Sequence, residues 1–79
     1  MSRSEALAWI AQIFEESPDR IKAETPRDNI PAWDSLGVLT LMAGLDEKFG
    51  ILVSDADLRP MTSVQDILNV LQKNGKLSD

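Results

Sequence analysis

Apolar residues recur at intervals of three and four in three separate stretches of this chain, and that spacing commits most of it to helix. The first stretch, Ser4 to Glu16, carries Leu7, Ile10 and Phe14, with Ala6 and Ile13 beside them. Ser4 is placed to cap it, because a serine hydroxyl accepts from an early backbone N–H. Ser17-Pro18 is placed to stop it, because proline disfavours helical geometry in the residue before it. The second stretch, Ser35 to Phe49, lines up Val38, Leu41, Met42, Leu45 and Phe49 and closes at Gly50. The third, Ser63 to Gln72, carries Val64, Ile67, Leu68 and Leu71, and Asn74-Gly75 ends it. Two capping-box patterns precede this helix, Thr62 with Gln65 and Ser63 with Asp66. Between the second and third stretches, Ser54 to Leu58 reads as one short helical turn capped by Ser54 and closed by Pro60. Ile51 to Val53 is too short for a strand and reads as an extended link.

Residues 17–33 hold three of the four prolines, Pro18, Pro26 and Pro31. A loop of this length is unusual in a small domain, since loops beyond about 12–15 residues are uncommon without a function or disorder. Ile21, Ile30 and Trp33 argue for order by tacking the loop onto the core. The expected architecture is an all-α bundle of three main helices plus one short helix, with the long loop between the first and second. It reads as a single domain over residues 1–79, with Lys76 to Asp79 as a frayed tail.

Composition narrows what such a bundle can do. A chain of 79 residues buries only about 60% of the surface its unfolded form exposes, which leaves little room for a deep cleft. There is no cysteine, hence no disulfide, thiolate metal site or thiol nucleophile. There is no histidine either, which removes the commonest metal ligand and the usual general base at neutral pH. The net charge of −5 disfavours nucleic acid, because an acidic chain is repelled by phosphate backbones. Unbroken apolar runs such as Ile51-Leu52-Val53 are far too short for a membrane span. These features point to a soluble, cytoplasmic domain that is not itself an enzyme, and with no coiled-coil seam in the pattern a monomer is expected.

The informative stretch is Trp33-Asp34-Ser35-Leu36-Gly37, where the long loop meets the second helix. A serine there presents its hydroxyl at the positive end of a helix dipole, and an attached anion gains roughly 0.3–1 kcal/mol from that position. The position therefore suits a serine carrying a phosphate ester. The plainer reading is that Asp34 or Ser35 caps the helix. Gly37 weakens the first turn by ~1 kcal/mol relative to alanine, and close backbone approach by a partner is one use for it. Asp55-x-Asp57 is a fragment of a calcium loop without its glycine or distal glutamate, so no metal site is read there. Trp9 reads as core or rim packing, and Lys73 and Lys76 as complements to the last helix's C-terminal end.

Asp34-Ser35-Leu36, followed by an amphipathic helix ending in Asp46-Glu47-Lys48-Phe49-Gly50, resembles the acyl carrier protein family. Met61-Thr62-Ser63-Val64-Gln65-Asp66 is similar to that family's approach to its last helix. The resemblance runs from the first helix to about Leu71. It implies that Ser35 receives 4′-phosphopantetheine from coenzyme A through a separate phosphopantetheinyl transferase. Acyl or aminoacyl cargo would then ride as a thioester on the arm's thiol, which a chain without cysteine does not itself supply. It implies that Asp34 assists attachment, as a magnesium ligand in the transferase complex, beside its alternative role as helix cap. The partners implied are the transferase, a loading enzyme and downstream synthases. Trp33 before the triplet and uncharged Gly37, Val38 and Thr40 after it look more like free-standing carriers of specialised biosynthetic clusters than fatty-acid carriers.

Leu36, Leu39 and Ala43 lie on a different face from Leu41 and Leu45. With Met61 they are candidates for a docking patch around the serine, although Leu39 also suits the core. Six acids and two bases lie between Asp34 and Asp66, so Glu47, Asp55 and Asp57 are candidates for steering basic partners. The competing reading is an unmodified helical interaction module that uses the same Leu36, Leu39 and Met61 patch.

Overall fold

The structure is a computed structural model that describes residues 1–78. Four helices follow one another: α1 (Arg3–Ile13), α2 (Ser35–Phe49), α3 (Asp55–Leu58) and α4 (Val64–Lys73). Two single 3-10 turns, Pro18–Arg20 and Arg27–Asn29, shape the loop between α1 and α2. Among the described residues no strand forms, and the link at Ile51 to Val53 belongs to no regular element.

The apolar stripes become the core. Ile10 and Phe14 of α1, Val38, Leu41 and Leu45 of α2, Leu58 of α3, and Val64, Ile67, Leu68 and Leu71 of α4 are all buried. Met42, Phe49, Leu7 and Ile13 pack around the edge of this cluster. Trp9 is rim packing, meeting Phe49 edge-on with ring centroids 5.1 Å apart. Ile21, Ile30 and Trp33 are buried as well, so the long loop is a wall of the core. The loop is also sewn to α4: the Arg27 N–H donates to the Thr62 carbonyl at 2.8 Å, and the Val64 N–H donates to the Thr25 carbonyl at 3.0 Å.

The limits of α1 differ from the expected Ser4 and Glu16. The cap is Ser2: its hydroxyl accepts from the Glu5 N–H at 3.1 Å, and the Glu5 carboxylate accepts from the Ser2 N–H at 2.8 Å. Ser4 would have Leu7 at the reciprocal position, which has nothing to return. At the other end the helix stops before Pro18 is reached. Glu15 adopts a left-handed conformation with φ 56°. Its N–H donates to the Gln12 carbonyl at 3.2 Å, and the Glu16 N–H donates to the Ala11 carbonyl at 2.8 Å. This reversal satisfies carbonyls that the helix end would otherwise leave open.

A glutamate in that conformation is strained, because Cβ crowds the following carbonyl. Glu15→Gly is therefore expected to stabilise the fold by about 0.5–1 kcal/mol, the relief of strain exceeding the entropy a glycine adds to the unfolded chain. Urea unfolding should show a higher midpoint at unchanged slope; a lower midpoint would refute the strain.

A further expectation is corrected. Of the two capping boxes ahead of α4, only the Ser63 and Asp66 pattern is used. The Asp66 carboxylate accepts from the N–H groups of both Thr62 (2.9 Å) and Ser63 (3.3 Å). Gln65 turns instead to Asn69 and Arg3. A charged carboxylate is the stronger acceptor, and it already serves both donors. Residues 76–78, expected as a tail, make contacts back to the rest of the fold. The Lys76 N–H closes on the Leu71 carbonyl at 2.8 Å, the Ser78 N–H reaches the Met1 carbonyl at 2.9 Å, and Leu77 packs on the core. Leu77 supplies the apolar contact that a polar tail lacks. Asp79 lies outside the described residues.

Candidate functional site

Asp34 takes the capping role that the sequence left open between it and Ser35. Asp34 is the cap of α2: its Oδ1 accepts from the Gly37 N–H at 2.9 Å. Ser35 is the first residue of the helix proper and is exposed. Its hydroxyl makes no hydrogen bond within the described residues. The serine is therefore spared from holding the helix together. Its hydroxyl stands at the end where unpaired N–H groups and the helix dipole favour an anion.

The segment that delivers Ser35 is rigid for a reason that lies in packing. Trp33 is buried and stacks on Phe14, with ring centroids 5.1 Å apart and planes 19° apart. Immediately after the cap, Gly37 is buried against the incoming loop. A Cβ on Gly37 would lie 2.0 Å from the Ala32 carbonyl oxygen and 3.4 Å from Phe14. The glycine therefore serves a close approach inside the molecule. This corrects the idea that it is open to a partner's backbone, since the loop already fills that space.

Around the serine, Leu36 is 71% exposed and Leu39 52%. Leu39 is thereby assigned to the surface. Ala43 is exposed on the same side. Leu39, Met42, Ala43 and Asp46 line a shallow cavity of about 240 Å³ whose other wall is Ile51 to Val53. Met61 lines a neighbouring cavity with Leu52, Val53 and Val70, and the two cavities share Ile51 to Val53. Leu52, at 83% exposed, is the most exposed large apolar side chain and was missed. Its signal was present: in an extended run, the middle of three apolar residues points away from its neighbours, and here Ile51 is buried while Leu52 is not.

The candidate acids differ in how much of their charge they offer. Glu47 is exposed, as is Asp46 beside it. Asp55 is engaged by Arg59 in an ion pair one helical turn away. The Asp57 carboxylate accepts from the Ser54 N–H at 3.1 Å, while the Ser54 hydroxyl accepts from the Asp57 N–H at 3.2 Å. Asp55 and Asp57 thus take part in building α3.

Those capping bonds hold the Asp57 carboxyl below the usual carboxylate range, the Ser54 N–H contributing most and its hydroxyl next. A lowered pKa stabilises the fold above the ordinary carboxylate value, and that contribution disappears as pH falls through the lowered one. Asp57→Ala should therefore lower Tm at neutral pH. The gap to the unsubstituted chain should close in acid. An equal gap at both pH values would show that the carboxylate's charge is not its source.

Comparison with known proteins fits this geometry. No protein-family model matches the chain. An acyl carrier protein from Bdellovibrio bacteriovorus is 34% identical to it over 59 residues, 75% of this chain and 76% of that protein. One from Campylobacter concisus is 34% identical over 59 residues, 75% of this chain and 77% of its own. One from Thermobifida fusca is 32% identical over 77 residues, covering 91% of this chain and 96% of its own. The chain belongs to the acyl carrier protein family. As an acyl carrier protein it is a carrier and not an enzyme, and its small helical bundle agrees with that membership. Among the described residues no helix is long and apolar enough to cross a membrane, and no group of three or more acids could hold a metal ion.

Proposed function

We propose that this acyl carrier protein bears 4′-phosphopantetheine on Ser35 and presents acyl or aminoacyl intermediates to biosynthetic enzymes. The observation that carries the reading is the division of labour at the start of α2. Asp34 holds the helix, so the exposed Ser35 hydroxyl is available for esterification at no structural cost. In the transfer from coenzyme A, the Ser35 oxygen forms a bond to the phosphorus that bears the pantetheine, and the bond from that phosphorus to the adenosine bisphosphate breaks. The serine proton is taken up by the transferase. Asp34 uses Oδ1 for the cap, and its other oxygen takes no part in that bond. That oxygen is the atom suited to a magnesium ion brought by the transferase. When attached, the arm supplies the thiol that a chain without cysteine lacks.

The protein's own contribution is position and recognition. Leu36 and Leu39 flank the serine as apolar contacts, with Ala43 and Leu52 extending them, and Glu47 with Asp46 steers basic partner surfaces. Intact-protein mass spectrometry after incubation with coenzyme A, magnesium and a broad-specificity phosphopantetheinyl transferase tests the reading. The expected result is a gain of one phosphopantetheinyl group. A folded chain that stays unmodified with several transferases would instead favour an interaction module that is never modified.

A further inference from the structure

We propose that Arg27 is a positioning residue that locks the Ser35 segment to α3, so that a partner meets one preformed surface. The inference rests on Ser35 being the modified residue for its functional meaning, but the lock is visible in the structure itself. Arg27 lies in the second 3-10 turn, in the middle of the long loop. Its Nε donates to the Trp33 carbonyl at 3.0 Å, one residue before the cap of α2. Its Nη1 donates to the Arg59 carbonyl at 2.9 Å, at the residue that closes α3. The guanidinium carbon stands 5.5 Å from the Trp33 ring centroid, within cation–π range. The main chain of Arg27 is held as well, its N–H donating to the Thr62 carbonyl at 2.8 Å. One side chain thus joins the start of α2 to the end of α3 from a loop anchored to α4.

Only a guanidinium does this. It presents several donors in one fixed plane and reaches two carbonyls at once, where an ammonium is a point donor. Both acceptors are main-chain carbonyls, so the bond fixes the path of the chain and not a side chain. A partner that must contact Ser35 and α3 together then spends none of its binding energy on ordering one against the other. Loss of the lock should therefore weaken recognition and leave the chemical step intact.

The test uses the full chain with Arg27→Met, which keeps the apolar stem, and Arg27→Lys, which keeps the charge. Each is confirmed folded by circular dichroism at a temperature well below its Tm. In both, kcat/KM for phosphopantetheinyl transfer should fall about tenfold, the scale of one lost charge-assisted hydrogen bond. The loss should appear in the KM for the carrier with kcat retained. Amide hydrogen exchange should quicken at the hydrogen-bonded amides of Gly37 and Val38 and at those of Arg59 and Met61 together, while the centres of α1 and α4 stay protected. An unchanged KM in a folded variant would overturn the proposal, as would quickened exchange in only one of the two segments. Full rescue by lysine would overturn it too. If the unsubstituted chain takes up no arm, the modification of Ser35 fails, and the exchange measurement alone still decides the lock.

Discussion

Ser35→Ala should abolish uptake of the phosphopantetheinyl group completely while leaving the thermal unfolding of the protein almost unchanged. The two halves of this result have separate causes. Uptake requires an oxygen nucleophile at the start of α2, and alanine has none. Stability is spared because the cap of α2 is the neighbouring Asp34 and the Ser35 side chain is exposed. Alanine is also the better helix former by a few tenths of a kcal/mol. Asp34→Ala is the informative contrast. It removes the acceptor for the Gly37 N–H and should destabilise the fold by about 0.5–2 kcal/mol, while also slowing modification at the intact serine. If Ser35→Ala unfolded the protein and Asp34→Ala did not, the assignment of cap and carrier residue would be reversed. Residual modification of Ser35→Ala would place the arm elsewhere.

Gly37→Ala should destabilise the protein strongly, against the direction that helix propensity gives. On an open helix surface the change would stabilise by ~1 kcal/mol. Here the new methyl group falls 2.0 Å from the Ala32 carbonyl oxygen, and neither atom is the end of a flexible side chain that could turn away. Overpacking of this kind costs about 1–3 kcal/mol and occasionally more, and a clash with backbone belongs at the upper end. A net loss of about 2–3 kcal/mol in a domain of this size corresponds to a fall in Tm of roughly 10–20 °C. A chain of this length has only a few kcal/mol in total, at about 0.05–0.15 kcal/mol per residue. The clash also pushes on the segment from Ala32 to Asp34, so modification of Ser35 should slow in whatever fraction stays folded. A rise in Tm would show that the loop moves aside freely.

The helical core was legible because its signal is local. Val64, Ile67, Leu68 and Leu71 share a stripe by spacing alone, and all four are buried. Gly50 ends α2 as expected, with φ 67°. Caps were less legible, because several serines and acids lie close together and the choice among them is made by what each can reach. Ser2 prevailed over Ser4 through Glu5, and Asp66 displaced Gln65. The candidate site was legible in its triplet, Asp34-Ser35-Leu36, and in the apolar side chains beside it. It was not legible in its supports. Nothing in the spacing of Phe14, Trp33 and Gly37 announces that they meet, since they approach from α1, the loop and α2. Arg27 reaches partners six and thirty-two residues away, and no periodicity encodes such a contact.

By itself the sequence determined the class of fold, the place of the serine and the absence of cysteine and histidine. Each of these depends on residue type or on short-range spacing, which backbone geometry translates directly. Tertiary structure alone decided which of two adjacent residues caps α2, why Gly37 is a glycine and which leucines face outward. Those outcomes depend on how the loop of residues 17–33 packs across α2 and α3. That packing is settled by close contact among side chains distant in sequence, where a displacement of one methyl group changes the result.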